Sequence, residues 1–329
     1  MFLNSKYRKI GQMYKIAILD DYQKVSLRMA NWNSILSSHQ ISVFTDHVND
    51  EKELIKRLTD FDILCVMRER TPITKNVLTN LPNLKLIVTT GMRNASIDMN
   101  AASDLNVIVS GTRGLPYPTA ELAWGLILDV ARNITYENNK LREGEWQKRI
   151  GVGLKGKTLG IIGLGQLGSQ VAEFGQAFGM NILAWSHNLT QDRAAQVGAT
   201  LRTLQQLLME SDFVSIHTVL SDRTKGLIGK KEIALMKNSA FLINTSRGPI
   251  IDECELYKAL KSGKIAGAAI DVFSEEPLDK QHELMSLNNL IITPHIGYVT
   301  KETYEIFYSD IIDCIHNFTR GNPTRVLNQ

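Results

Sequence analysis

Leu159-Gly-Ile-Ile-Gly163-Leu-Gly165-Gln-Leu-Gly168 is an apolar run that breaks into three glycines at the spacing Gly-x-Gly-x-x-Gly. The residues behind it continue at helical period, with Val171, Ala172, Phe174 and Gly175 among the inward positions. Strand, glycine turn and helix in this order form the setting that a dinucleotide fingerprint requires. Gly163 permits the tight turn, Gly165 lets the backbone approach a pyrophosphate, and Gly168 lets the helix press on its strand. The first amides and the dipole of that helix attract the anion. In a chain with 23 glycines the spacing alone is weak; the flanking strand and helix make it specific.

The fingerprint belongs to a longer alternation. Asn181-Ile-Leu-Ala-Trp185, Phe213-Val-Ser-Ile-His217, Ala240-Phe-Leu-Ile-Asn244, Gly267-Ala-Ala-Ile270 and Asn289-Leu-Ile-Ile-Thr293 read as buried strands. With Leu159-Gly-Ile-Ile162 they make a doubly wound sheet. An earlier series holds Lys15-Ile-Ala-Ile-Leu19, Phe61-Asp-Ile-Leu-Cys-Val-Met67 and Leu84-Lys-Leu-Ile-Val-Thr89. Between the two series, Arg113-Gly-Leu-Pro-Tyr-Pro118 marks a crossing, followed by a long apolar helix expected over about residues 119–134. Residues 301–319 carry Ile306, Phe307, Ile311, Ile312, Ile315 and Phe318 at helical period and have no strand of their own, so this helix is expected to return to the first domain. The expected fold is α/β, with two doubly wound parallel-sheet domains. A Rossmann nucleotide-binding domain, residues 113–297, is inserted into a flavodoxin-like substrate domain made of residues 1–112 and 298–329.

Composition narrows the function. The 329 residues are 43% hydrophobic and 22% charged, enough for two ordinary cores. With 37 basic against 34 acidic residues and no basic run longer than two, nucleic acid is not an expected partner. No apolar stretch approaches the roughly 20 residues of a membrane span, and no apolar segment follows the basic Lys6, Arg8 and Lys9, so neither secretion nor membrane insertion is expected. Cys65, Cys254 and Cys314 form no Cys-x-x-Cys pair, which suggests no disulfide framework and no zinc site and fits a reducing, cytoplasmic location. The stretch before Met13 reads as a loose tail or as the product of an upstream start codon.

A site specific for NAD places Asp or Glu on the adenosine ribose about 20 residues beyond the glycines. Here Ser186 stands at that strand end, followed by His187 and Asn188. Without a carboxylate a 2′-phosphate meets no repulsion, so NADP is admitted beside NAD, although residues 186–190 contain no arginine to clamp it.

Three polar clusters close successive strands of the second series: Asn244-Thr-Ser-Arg247-Gly, Asp271-Val-Phe-Ser-Glu-Glu276-Pro and Thr293-Pro-His295-Ile-Gly297. Ligands bind at those carboxyl ends. Reduction of a 2-oxo acid needs a cation for the carboxylate, a proton donor for the nascent alkoxide and a hydride source held at the carbonyl carbon. Arg247, His295 and a nicotinamide match these needs, with Glu275 or Glu276 as a carboxylate favouring the imidazolium.

With these segments the chain resembles, from Met13 on, the D-isomer-specific 2-hydroxyacid dehydrogenases; Thr119-Ala-Glu-Leu122 and Val214-Ser-Ile-His217 also match family segments. The resemblance implies that Arg247 orients the substrate carboxylate, that Glu276 assists the acid/base His295 while Glu275 stands aside, and that Asp271 anchors the nicotinamide carboxamide. It implies cofactor contacts at Gly163, Gly165, Gln166, Leu167, Gly168, Ser186, His187, His217, Thr224, Thr245 and Thr119. Substrate contacts are implied at Met92 and Arg93, in the loop Gly91-Met-Arg-Asn-Ala-Ser-Ile-Asp98, and at Arg68 and Arg70, in a segment resembling that of 3-phosphoglycerate dehydrogenases. The expected substrate is a small D-2-hydroxy or 2-oxo acid of the hydroxypyruvate, glyoxylate or 3-phosphoglycerate type.

Three departures from the family pattern stand out: Arg93 replaces a frequent glycine, Thr218-Val-Leu220 replaces a proline-containing segment, and no carboxy-terminal regulatory domain follows Gln329, so serine feedback through one is not expected. Family members are usually homodimers joined through the long helix, where Trp124, Leu126, Ile127 and Leu128 supply apolar surface or core. Two other readings are open. A formate enzyme is disfavoured by Glu276, whereas phosphite, another small anion, fits the same groups. An NADH-sensing corepressor-like binding protein shares the fold, and the chain shows no long disordered tail to recruit its partners.

Overall fold

The computed structural model describes residues 13–328, and the segment ahead of Met13, with its alternative start, lies outside them. The chain divides into two units, one made of residues up to Leu115 and from Val299 onward, the other spanning Pro116–Tyr298.

In the first unit, strands β1 (Lys15–Ile18), β2 (Gln40–Val43), β3 (Ile63–Val66), β4 (Leu86–Thr89) and β5 (Ile108–Gly111) form a wholly parallel sheet in the order β2-β1-β3-β4-β5. Every residue of β3 and β4 is buried, as expected of parallel strands covered on both faces. The crossing helices begin at side-chain caps: Asp50, Thr74 and Asp98 accept the amides of Glu53, Val77 and Ala101. The final helix, Lys301–Thr319, packs on β4 and buries Phe307, Ile311, Ile315 and Phe318. Asp310 fixes it by accepting from the Arg113 backbone amide at 2.8 Å and from its guanidinium at 2.8 and 3.1 Å.

The second unit holds β6 (Thr158–Ile162), β7 (Asn181–Trp185), β8 (Thr200–Leu201), β9 (Phe213–Ile216), β10 (Phe241–Asn244), β11 (Gly267–Ile270) and β12 (Leu290–Ile292). All pair in parallel in the order β12-β11-β10-β9-β6-β7-β8, so strand order reverses direction between β6 and β9. That reversal is the switch point where doubly wound sheets bind ligands. Both sheets match the fold class expected from the sequence, although β2, β5 and β8 were not foreseen.

The long helix runs over Pro118–Arg132, short of the expected end. Asn133 turns into the left-handed region (φ 54°) and closes it, and a second helix, Ile134–Arg142, begins at once. Trp124, Leu126 and Ile127 are buried against Leu159, Ile161 and Ala269, so they belong to this unit's core and are not free surface. No helix among the described residues is long and apolar enough to cross a membrane.

Candidate active site

At the carboxyl ends of β11 and β12, Asp271 ties two loops together. Its Oδ1 accepts from the Thr293 hydroxyl at 2.6 Å and the Ile296 amide at 2.8 Å, and its Oδ2 from the Gly297 amide at 2.9 Å. Burial raises the Asp271 carboxyl above the ordinary carboxylate range, opposed by those bonds and by the nearby His295. The tether gives the loop a fixed course, with His295 in the left-handed region at φ 53°. Such a conformation in a residue other than glycine costs energy and persists where surrounding contacts impose it.

The imidazole is thereby set against Glu276, Nδ1 to Oε2 at 2.6 Å. The other oxygen of Glu276 accepts the Phe273 amide at 2.9 Å. Burial pushes the Glu276 carboxyl up, but the His295 bond and charge, the Phe273 amide and the Arg247 charge together hold it below its ordinary value. Glu275, the other carboxylate considered from the sequence, makes no such bond to His295.

Arg247 follows β10 in a loop braced by its own polar groups. Asn244 donates to the Arg247 carbonyl at 2.9 Å and accepts the Ser246 amide at 3.0 Å, while Ser246 donates to Ile216 O on β9 at 2.8 Å. The next residue, Gly248, lies against the 273–274 backbone, where an added Cβ would fall 2.0 Å from the Phe273 carbonyl carbon. A glycine is needed there for the two loops to approach. Cation, carboxylate and imidazole thus lie at neighbouring strand ends of one sheet.

The glycine turn fits a dinucleotide. Gly163 has φ 101°, and a Cβ on Gly168 would lie 2.1 Å from Gly163 O, so neither position tolerates a side chain. A Cβ added to Gly165 would meet nothing within 4 Å, so the space beside its backbone is open to a pyrophosphate at the start of the helix Gln166–Ala177, which also carries Leu167. The Thr245 hydroxyl is buried with no partner among the described residues. Thr119 packs beside Gly297. A cavity of about 410 Å³ opens beyond the turn, with Ser186, His187, Arg193 and Arg223 in its wall. Ser186 Oγ accepts the Leu164 amide at 3.0 Å. Two residues implied as cofactor contacts have other engagements: Thr224 holds the turn after β9 by donating to Val219 O at 2.7 Å, and the buried His217 Nε2 lies 2.8 Å from Ser215 Oγ. Burial pushes the His217 ring down to about 4, so it is neutral at physiological pH.

In the first unit, Arg68 (φ 50°) leaves β3 and lays its guanidinium over Gly91, where Nη1 would sit 1.9 Å from an added Cβ. Asn94 braces this contact by donating to Arg68 O at 2.6 Å. Met92 and Arg93 are exposed. Arg70 turns the other way, donating to Asp20 O at 3.0 Å and stacking over the Tyr22 ring at 4.7 Å. Sequence reasoning missed Arg193 and Arg223, and also a buried pair at the ends of β1 and β2, His47 Nδ1 to Asp20 Oδ1 at 2.9 Å.

A Rossmann sheet with an open glycine turn, and a cation, carboxylate and imidazole at adjacent strand ends, defines a dinucleotide-linked dehydrogenase. The model of the D-isomer specific 2-hydroxyacid dehydrogenase NAD-binding domain matches residues 124–297, and the chain belongs to this family. It is 42% identical to the glyoxylate reductase of Aeropyrum pernix over 238 residues, 69% of this chain and 71% of that one. To the D-3-phosphoglycerate dehydrogenase of Methanocaldococcus jannaschii it is 39% identical over 275 residues, 82% of this chain, and it spans only 52% of that relative. The crystal structure of a phosphoglycerate oxidoreductase from Vibrio cholerae superposes with a TM-score of 0.89 at 39% identity, covering 94% of this chain and all of the other. The chain is thus an oxidoreductase that acts on a CH–OH group with an NAD(H)-type cofactor. These relatives are enzymes, which supports the dehydrogenase reading and not the corepressor one.

Proposed function

We propose that the chain interconverts a short 2-oxo acid and its D-2-hydroxy acid, of the glyoxylate, hydroxypyruvate or 3-phosphoglycerate type, with NAD(H) or NADP(H). The observation that carries this reading is the 2.6 Å contact of Glu276 with His295 Nδ1, with the Arg247 charge acting on the same carboxylate.

When bound, the dinucleotide supplies the hydride for reduction and accepts it for oxidation. With Nδ1 given to Glu276, His295 keeps Nε2 for the substrate. As negative charge develops on the carbonyl oxygen, Nε2–H donates its proton and the hydroxyl forms; Glu276 stabilises the imidazolium before that transfer. In the oxidative direction the neutral ring accepts the hydroxyl proton. Arg247 pairs with the substrate carboxylate through parallel N–H bonds and fixes the carbonyl face. Asp271 Oδ2 has a second lone pair for the nicotinamide carboxamide, Thr119 and Thr245 are assigned to the same cofactor, and Gly163 to Gly168 hold the pyrophosphate. We assign Arg68, Arg70, Met92 and Arg93 of the first unit to substrate recognition.

We further assign the protein to the cytoplasm as a homodimer. Supporting a dimer are large apolar side chains exposed past the end of the long helix, Ile134, Leu141, Trp146 and Ile150, the last 98% exposed. The deciding experiment follows absorbance at 340 nm with NADH and NADPH against glyoxylate, hydroxypyruvate, pyruvate and phenylpyruvate, and with the oxidised cofactors against 3-phosphoglycerate. Turnover of one of these acids is expected. No turnover of any acid by protein that binds dinucleotide would overturn the assignment.

A further inference from the structure

The wall of the cavity beyond the glycine turn is basic. Its polar residues include Ser186, His187, Asn188, Arg193 and Arg223, and no carboxylate lines it. The two arginines arrive from different elements: Arg193 from the helix Gln191–Gln196 behind β7, Arg223 from the turn after β9. Among the described residues neither guanidinium takes part in an ion pair or a side-chain hydrogen bond; the acidic residues next to each in sequence, Asp192 and Asp222, are not part of the wall. Both arginines start from fixed backbone. The Arg193 amide is capped by Thr190 Oγ1 at 3.3 Å, and the turn that carries Arg223 is closed by the Ser221 amide bonding to Thr224 Oγ1 at 2.8 Å.

We propose that this cavity selects the 2′-phosphorylated dinucleotide, with Arg193 and Arg223 clamping the 2′-phosphate and Ser186 replacing the carboxylate that would repel it. The proposal rests on the dinucleotide site described above and adds its preference. Both arginines are exposed on this one wall, where no carboxylate supplies a counter-charge and an anion would. A 2′-phosphate brings two negative charges and oxygens suited to the planar fork of arginine. The plain ribose of NAD offers only neutral hydroxyls, which give two guanidiniums no counter-charge. Ser186, whose Oγ already accepts the Leu164 amide, keeps its own proton to donate to the same phosphate. The absence of an arginine from residues 186–190 is therefore made good by residues that the fold brings in from either side.

The test is calorimetric titration of the full chain with 2′,5′-ADP and 5′-AMP, and with NADPH and NADH, at low and raised salt. The 2′-phosphorylated member of each pair should bind about tenfold tighter or more, with an advantage that shrinks as salt rises. The double variant Arg193→Ala, Arg223→Ala should bring the two members of each pair to equal affinity. Equal binding of 2′,5′-ADP and 5′-AMP by the wild type, or a preference that survives the double variant, would overturn the proposal while leaving the dehydrogenase reading intact. Binding of none of the four would remove the dinucleotide site itself and both readings with it.

Discussion

Glu276 holds His295 by Nδ1 with one oxygen and the Phe273 amide with the other, at 2.6 and 2.9 Å. The carboxylate is thus fixed before the imidazole meets it, and the ring presents Nε2 in one orientation.

Replacing the imidazole removes the proton donor. His295→Ala should lower the rate of oxo-acid reduction by about 10²- to 10⁴-fold, the range typical of a lost general acid. Dinucleotide affinity, measured by calorimetry, should change little. Turnover within a few-fold of wild type would take His295 out of the mechanism.

The Glu276 carboxyl is held below its ordinary value, so the sign of its pH effect is fixed. A depressed carboxyl contributes stability that is present above its unfolded value and is lost as pH falls through the folded one. Glu276→Gln should therefore melt below wild type near neutral pH, and the gap should close below the ordinary carboxylate range. A gap of constant size across that range in a series of thermal melts would show that the charge is not what stabilises the fold.

Arg247 is assigned to the substrate carboxylate and not to the cofactor. Arg247→Ala should reduce kcat/KM for the oxo acid by about a hundredfold or more, as expected when a charge-assisted bidentate contact is lost. Calorimetric affinity for the dinucleotide should hold. Parallel losses in both would mean that the arginine shapes the cofactor site instead.

The positions of these three residues were legible in the sequence because each comes after a continuous apolar run, buried in β10 and β11 and partly buried in β12, and a sheet with one strand direction gathers such ends. The strands that escaped notice lack that contrast. Gln40–Val43 lies at a sheet edge and is only partly buried, Thr200–Leu201 is two residues long, and Ile108–Gly111 ends in serine and glycine. What depends on them was hidden too. His47 follows β2, so its place beside Asp20 appears only once that strand is paired with β1. Arg193 and Arg223 belong to separate loops whose meeting at one cavity has no trace in local pattern. Trp124 and Ile127 were ambiguous for another reason: helical period marks a buried face without saying what buries it.

The buried His217 ring makes a prediction about acid stability. It stays neutral in the native protein down to about 4, whereas in the unfolded chain it takes a proton near its ordinary value of 6.5. Between those values the unfolded state binds more protons, so stability falls as pH drops, by about 3 kcal/mol for this group over the whole window. Urea denaturation of wild type and His217→Gln at pH 7 and pH 5 isolates it. Wild type should lose more than the variant, and equal losses would mean that the ring is not buried in neutral form.

The His47–Asp20 pair has the opposite sign. Asp20, itself buried, accepts from His47 at 2.9 Å and from the Thr71 hydroxyl at 2.6 Å, and the bond to Asp20 raises the histidine above its ordinary value against the opposing pull of burial and of Arg70. A base raised in the folded state contributes stability that is fully present below its unfolded value and is lost as pH rises through the folded one. His47→Gln should therefore cost more stability at pH 6 than at pH 9, and the His47 ring in wild type should titrate above about 6.5 when followed by NMR. Asp20→Asn keeps the side-chain shape but removes the charge, and should bring the titration of His47 down. A ring that titrates at or below the ordinary value in wild type, or that ignores Asp20→Asn, would mean that the pair meets as neutral hydrogen-bonding groups and that the end of β1 carries no pH-dependent link to β2.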